Sequence, residues 1–332
     1  MDKNTRLRNA VNGKEVDKIP FSFWTHLPEY DRDPKAIAEE TYKLYKDYDL
    51  DFIKLMNNGM YTAEAFGATI DNSDVPTGGT TKLSDSPINE AEDFEKITLE
   101  TFDESIYDRE LEHLKNVLEL VDGEAPVIIT VFSPFTTIDK LALGKANAFI
   151  EAGKGDLLTP ALELVTDLTI KFSKAAIALG ASGIYFATQM SSYDRTSRES
   201  YETYGVPYDI QILESVKNDG WLNTIHVHGE NTMFDVMKDY PVPVFNWHNW
   251  DTEPSVEVGQ EKTEKAIMGG IAPSQITAGN VDELTKQVSE DIKRLDGKNL
   301  ILSSNCSVML PFEDQTIRTI QKVAKDTFEE IK

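Results

Sequence analysis

Two histidines, His226 and His228, stand one residue apart in "NTIHVHGEN", and the chain's single cysteine, Cys306, ends an apolar run far downstream. On an extended backbone, residues two apart point to the same side, so both imidazoles can face one point. Catalytic zinc typically takes three protein ligands and leaves one place for water or substrate, and a thiolate with imidazoles favours zinc over magnesium or calcium. His226, His228 and Cys306 therefore form a candidate zinc set. The plainer reading makes Cys306 a small buried residue, with the histidines satisfying core hydrogen bonds or touching substrate. "FNWHNWDTEP" adds His248 and Asp251, with His248 a fourth ligand, an acid/base or a substrate contact, and Trp247 and Trp250 read as packing. His26 follows the first apolar run, so four of the five histidines follow predicted strands and only His113 lies in a predicted helix. That bias favours a site. Asn57 and Asn58 in "NNGMY", Gln189 beside Thr188 and Ser191, and Ser133, Phe135 and Thr136 in "SPFTTI" occupy comparable places. Singly, such polar residues cap helices or make turns, as expected of Ser133 or Thr136, while Phe135 is expected to line the mouth. No Walker loop, GxGxxG after the first strand or GxSxG elbow is present, and a nucleophilic Cys306 would draw on the same residues.

Strands must bring these positions together. Short apolar runs are predicted at 19–23 (IPFSF), 51–56 (DFIKLM), 127–132 (VIITVF), 183–187 (GIYFA), 222–227 (LNTIHV), 242–247 (VPVFNW), 266–271 (AIMGGI) and 299–304 (NLILSS). Helical patterns alternate with them. Pro34 opens one after Asp33, and Ile106, Leu111, Leu114, Val117, Leu118 and Val121 share a face in 104–121. A long apolar helix ends at Gly180, and Asn280 caps a helix repeating Leu284, Val288 and Ile292. Eight strands alternating with helices predict a (β/α)8 TIM barrel, with an open doubly wound sheet as the alternative. The interval from Gly59 to Ala125 is too long for one crossover, so a loop insertion is expected between the second and third strands. In a barrel, chemistry belongs at the C-terminal ends of the strands, where the histidine pair and the thiol would share one mouth.

The 332 residues are 40% hydrophobic and 9% aromatic, enough for one large barrel domain spanning 1–332. A formal charge of −24 argues against nucleic acid or an anionic membrane as partner. The N-terminal stretch has no apolar signal-peptide core and no 18-residue apolar run occurs, so neither a signal peptide nor a membrane span is expected. A single cysteine fits the reducing cytoplasm.

Several blocks in order, "RLRNAVNGKEVDKIPFSFW", "SPFTTIDKLAL", "GASGIYFATQ", "HVHG", "MGGIAPSQITAGNVDEL" and "NLILSSNCSVMLPFEDQTIRTIQKV", resemble the uroporphyrinogen decarboxylase superfamily over nearly the whole chain. The resemblance implies a (β/α)8 barrel. True decarboxylases of the superfamily carry an arginine-bearing segment before "LPEY" and an aspartate after the next strand. Here the segment reads "FSFWTH" and Asn58 stands in the aspartate's place. A polyanionic tetrapyrrole would meet neither the arginine clamp nor the carboxylate.

The zinc-dependent methyltransferase branch, which moves a methyl group between a corrinoid protein and a thiol, carries His-x-Cys and a distant Cys. Here His226 matches the first ligand, His228 replaces the first cysteine and Cys306 matches the last. The resemblance implies zinc on these three, a small-molecule thiol substrate, and a corrinoid on a separate binding protein, since the chain has no DxHxxG cobalamin motif. His248, Gln189 and Asn58 are expected to orient substrate or zinc ligands. A porphyrinogen decarboxylase and a non-catalytic barrel remain the alternatives.

Overall fold

The computed structural model describes residues 1–77 and 79–332. Its strands are β1 (Phe21–Ser22), β2 (Ile53–Leu55), β3 (Thr69–Asp71), β4 (Lys82–Asp85), β5 (Val127–Phe132), β6 (Gly183–Thr188), β7 (Thr224–Val227), β8 (Val244–Trp247), β9 (Ala266–Ile271) and β10 (Leu300–Ser304). Eight of them form one parallel sheet in the order β1-β10-β9-β8-β7-β6-β5-β2. Its two edge strands are adjacent in sequence, and their flanks meet. Asp51 N–H donates to the Phe21 carbonyl and the Ser22 hydroxyl to the Phe52 carbonyl, both at 2.8 Å. The sheet is thus a nearly closed barrel rather than an open doubly wound sheet, and the eight predicted strands are its staves.

All residues of β5, β6 and β9 are buried, as expected of parallel strands covered by helices outside and by side chains inside. The helices begin where capping chemistry places them. Asp33 accepts from Lys35 and Ala36 N–H before Pro34, Ser133 accepts from Thr136 N–H, and Asn280 accepts from Glu283 N–H. The helix Glu104–Val121 buries Leu114, Val117 and Val121 as its spacing predicts, but its buried face also takes in Glu110 and His113. Ile106, Leu111 and Leu118 are only partly buried.

Between β2 and β5 the chain is more than a loop leading to a helix. It forms the short helix Tyr61–Glu64, the antiparallel pair β3–β4 and a 3-10 segment, Ala91–Lys96, before the helix Glu104–Val121. At the N-terminal face of the barrel, the fully buried Asp51 carboxylate pairs with Arg6 at 2.7 Å and accepts the Phe21 N–H at 2.9 Å. This pins the shortest stave opposite the mouth. No helix among the described residues is long and apolar enough to cross a membrane.

Candidate functional site

The C-terminal ends of the staves open on a cavity of about 190 Å3, lined by His226, His228, Cys306, Gln189, His26, Lys54, Asn57 and Tyr185 among others. His226 lies within β7 and His228 just past its end, on the same side, as their two-residue spacing requires. Two contacts from β6 hold this end: the Thr188 hydroxyl donates to the His226 carbonyl at 3.0 Å, and His228 N–H donates to the Thr188 carbonyl at 3.2 Å. Gly229 follows at φ +95°, a left-handed conformation costly for a residue with a Cβ. It turns the chain away directly after the second imidazole.

Cys306 is placed from β9. Asn305 N–H donates to the Ile271 carbonyl at 2.8 Å, and Asn305 Oδ1 accepts the Gly270 N–H at 2.9 Å. A Cβ at Gly269 would lie 2.9 Å from that same oxygen, so the "GG" of β9 leaves room for the asparagine that carries the thiol.

Nε2 of His226 lies 3.2 Å from Nδ1 of His228, and Cys306 Sγ lies 3.9 Å from each of these nitrogens. Around a tetrahedral zinc, bond lengths of about 2.0–2.1 Å to nitrogen and about 2.3 Å to sulfur put neighbouring donors about 3.3–3.6 Å apart. The three donors stand close to those separations. His248, past the end of β8, brings a fourth: one ligand atom from each of His226, His228, His248 and Cys306 lies within 4.8 Å of all the others. The set is three imidazoles and one thiol, a chemistry that suits zinc.

The tautomer of His226 is determined by its neighbours. Asn246 Nδ2 donates to the Met268 carbonyl at 2.7 Å, so Oδ1 faces Tyr185, whose hydroxyl donates to it at 2.8 Å, and His226 Nδ1. An acceptor on that side requires a proton on Nδ1, which leaves the Nε2 lone pair directed at the cluster. Burial, with the neighbouring His228 and His248 adding to it, holds the His226 imidazole well below its ordinary pKa. Burial also brings His228 down to about 4 and lowers His248. Neutral imidazoles are the form that binds metal. Burial pushes the Cys306 thiol up.

Gln189 lines the cavity, its N–H held by Thr136 Oγ1 at 2.9 Å. Asn58 does not reach it: the side chain is fully buried and its Oδ1 accepts the Met60 N–H at 2.8 Å, bracing the turn. Its neighbour Asn57 lines the cavity instead, with neither amide atom partnered among the described residues. Phe135 is buried against Tyr201 and Tyr204, away from the mouth, because the helix beginning at Pro134 turns it outward into the helical layer. His26 lines the cavity outside the donor cluster. His113 is buried on its helix, with neither ring nitrogen partnered among the described residues. Trp247 and Trp250 pack, their indole N–H groups donating to Pro254 and Gly270 carbonyls.

Lys54, Asn246 and Arg195 were missed by motif reasoning. The first two carry a legible signal, a polar side chain inside an apolar strand, since such a residue must find a partner within the barrel. Arg195 lines an adjoining pocket with Gln189, His228 and His248, so an arginine does stand at the mouth. It is already paired with Asp139 at 2.7 Å.

The family model described as uroporphyrinogen decarboxylase (URO-D) matches residues 2–327. The chain is similar to the methylcobamide:CoM methyltransferase MtbA of Methanosarcina acetivorans, 23% identical over 97% of each chain. It is also similar to MtaA of Methanosarcina barkeri, of the same description, 24% identical over 93% of this chain and 94% of that one. Its fold matches the structure of a methyltransferase from Methanosarcina mazei with a TM-score of 0.84 at 20% identity, over 99% of both chains.

Proposed function

The chain belongs to the uroporphyrinogen decarboxylase family, and from that premise we propose that it is a single-barrel methyltransferase acting between a corrinoid and a small-molecule thiol. The corrinoid would be carried by a separate protein. The observation that carries this reading is the convergence of three imidazoles and one thiol at the mouth of the barrel. The curated relatives are named as methylcobamide:CoM methyltransferases, which supports the same chemistry.

We assign His226, His228 and Cys306 as zinc ligands. When bound there, zinc would lower the pKa of a coordinated thiol so that it reacts as a thiolate at neutral pH. The protein's own residues do the rest. Asn246 holds His226 in the tautomer that turns Nε2 to the site, and Asn305 sets the thiol of Cys306 against it. His248, 3.8 Å from Asp251, lines the adjoining pocket with Gln189, and the two orient substrate. Asn58 supports that wall from behind through the Met60 turn. Trp24, Tyr185 and Phe132 line the cavity with apolar surface, which excludes water from a reacting thiolate.

A porphyrinogen decarboxylase is less well supported. Among the described residues Arg195 is the only arginine lining the cavity or its neighbour, and its charge is met by Asp139. A non-catalytic barrel predicts a filled or closed mouth with Cys306 buried, whereas a cavity opens here against a half-buried Cys306. The test is zinc content and methyl transfer from methylcobalamin to CoM by protein purified without chelator. Stoichiometric zinc lost in His226→Ala and Cys306→Ala is expected. Zinc near zero and unaffected by either change would overturn the proposal.

A further inference from the structure

Lys54 stands in the middle of β2, in the run "DFIKLM", where the residues around it are apolar and buried. Its side chain turns into the barrel and lines the cavity with His226, His228 and Cys306. A lysine ammonium has three donor hydrogens and no acceptor. The partners in reach are the Met56 thioether at 2.8 Å and the ring faces of Tyr185 and Trp24, with centroids at 4.6 and 5.5 Å. Among the described residues no carboxylate lies within ion-pair distance of it. A thioether is a weak acceptor and the two ring faces return only part of the lost hydration, so burial without a carboxylate weighs against the ammonium.

We propose that Lys54 is a catalytic residue, the base that takes the proton of the substrate thiol. This rests on the thiol methyl-transfer reading above. The S–H bond breaks with its electron pair left on sulfur, an N–H bond forms on Nζ, and the products are a thiolate and an ammonium in one cavity. The new ammonium then stands as counter-charge to the thiolates beside it. The charged and titratable groups that act on Lys54 fit this use. Burial brings its pKa down to about 7, and the Cys306 sulfur, when ionised, favours the protonated form. Lys54 in turn lowers His26 and His226.

The other bases at the site are worse placed. His26 is held by burial at about 4, too weak to accept a thiol proton near neutrality. Lys140 donates to the Gly59 carbonyl at 2.7 Å and lies over the Phe132 ring, behind the cavity wall. Asp31 accepts from Thr81 at 3.0 Å and lies under the influence of Arg109 and Arg32.

Isothermal calorimetry of the zinc-loaded protein, titrated with CoM and separately with 2-mercaptoethanol, tests this by counting protons. Each titration is run in two buffers of different ionisation enthalpy. At pH 8 the wild type should release close to no protons to buffer, because the thiolate formed beside Lys54 raises its pKa from about 7 and holds the thiol proton there. At pH 6, where Lys54 already carries its proton, about one should be released per thiol bound. Lys54→Met should release about one at both pH values. Lys54→Arg, which keeps the charge but cannot act as a base, should do the same, separating proton uptake from mere charge compensation. Equal proton counts at pH 8 in wild type and Lys54→Met, with both folded by circular dichroism, would overturn the assignment. Absence of binding heat with either thiol in the zinc-loaded wild type would overturn the thiol-transfer reading itself.

Discussion

Replacing Asn246 with leucine should loosen zinc without removing a ligand. Asn246 Nδ2 is committed to the Met268 carbonyl, so its Oδ1 is the acceptor for both the Tyr185 hydroxyl and His226 Nδ1. Leucine keeps the volume and abolishes that acceptor. His226 then has no reason to keep its proton on Nδ1, and any ring with the proton on Nε2 is lost to the metal. Second-sphere partners of this kind are worth about 10–100-fold in metal affinity, or about 1.4–2.8 kcal/mol. The buried Tyr185 hydroxyl and His226 N–H would also lose their partner, each costing about 1–3 kcal/mol of stability. The melting temperature should therefore fall too. Asn246→Asp supplies the comparison, because a carboxylate keeps both acceptor positions and loses only the bond to Met268. Zinc affinity is measured by competition with a chromophoric chelator, alongside circular dichroism. Asn246→Leu should bind more weakly, and Asn246→Asp should recover most of the loss. Wild-type zinc affinity in folded Asn246→Leu would refute the reasoning, as would an Asn246→Asp variant no better than leucine.

Gly229→Ala tests the turn after the histidine pair. A Cβ there meets only Ser192 at 3.9 Å, so the cost comes from φ +95° alone, about 1–2 kcal/mol. A lower melting temperature and weaker zinc binding are expected, and an unchanged thermal melt would show that the left-handed backbone is not needed. His113→Leu tests the buried helical histidine. Burial drives its pKa from 6.5 to about 3, so the folded protein keeps it neutral while the unfolded chain takes up a proton below pH 6.5. The unfolded state then binds more protons, and the stability tied to His113 is lost as pH falls from about 6.5 towards about 3. Between pH 7.5 and 4.5 the wild type should lose about 3 kcal/mol more than His113→Leu. Urea melts at the two pH values measure this, and parallel losses in both proteins would contradict it.

The barrel was legible because its signals are local. Eight apolar runs separated by helical patterns determine a parallel sheet through burial on both faces, and Asp33, Ser133 and Asn280 mark helix starts by satisfying free N–H groups. The His226–His228 pair was legible for the same reason, since a two-residue spacing on a strand needs nothing beyond the strand. Asn57 and Asn58 were not separable, because the turn after β2 decides which amide faces the cavity and which braces the backbone. Phe135 was misplaced because a residue after a strand reaches the mouth only if the following helix does not carry it outward.

The amino-acid sequence thus determined the kind of scaffold and the donors it could offer. Periodicity, caps and residue chemistry act over a few residues and survive without knowledge of the fold. Closure of the barrel decided the rest. It brought Cys306 to 3.9 Å from both histidines, drew His248 into the same cluster, and set Lys54 beside them with no carboxylate among the described residues in ion-pair reach. Those relations join strands far apart in the chain. Their distances follow from stave order and register, which no local pattern carries.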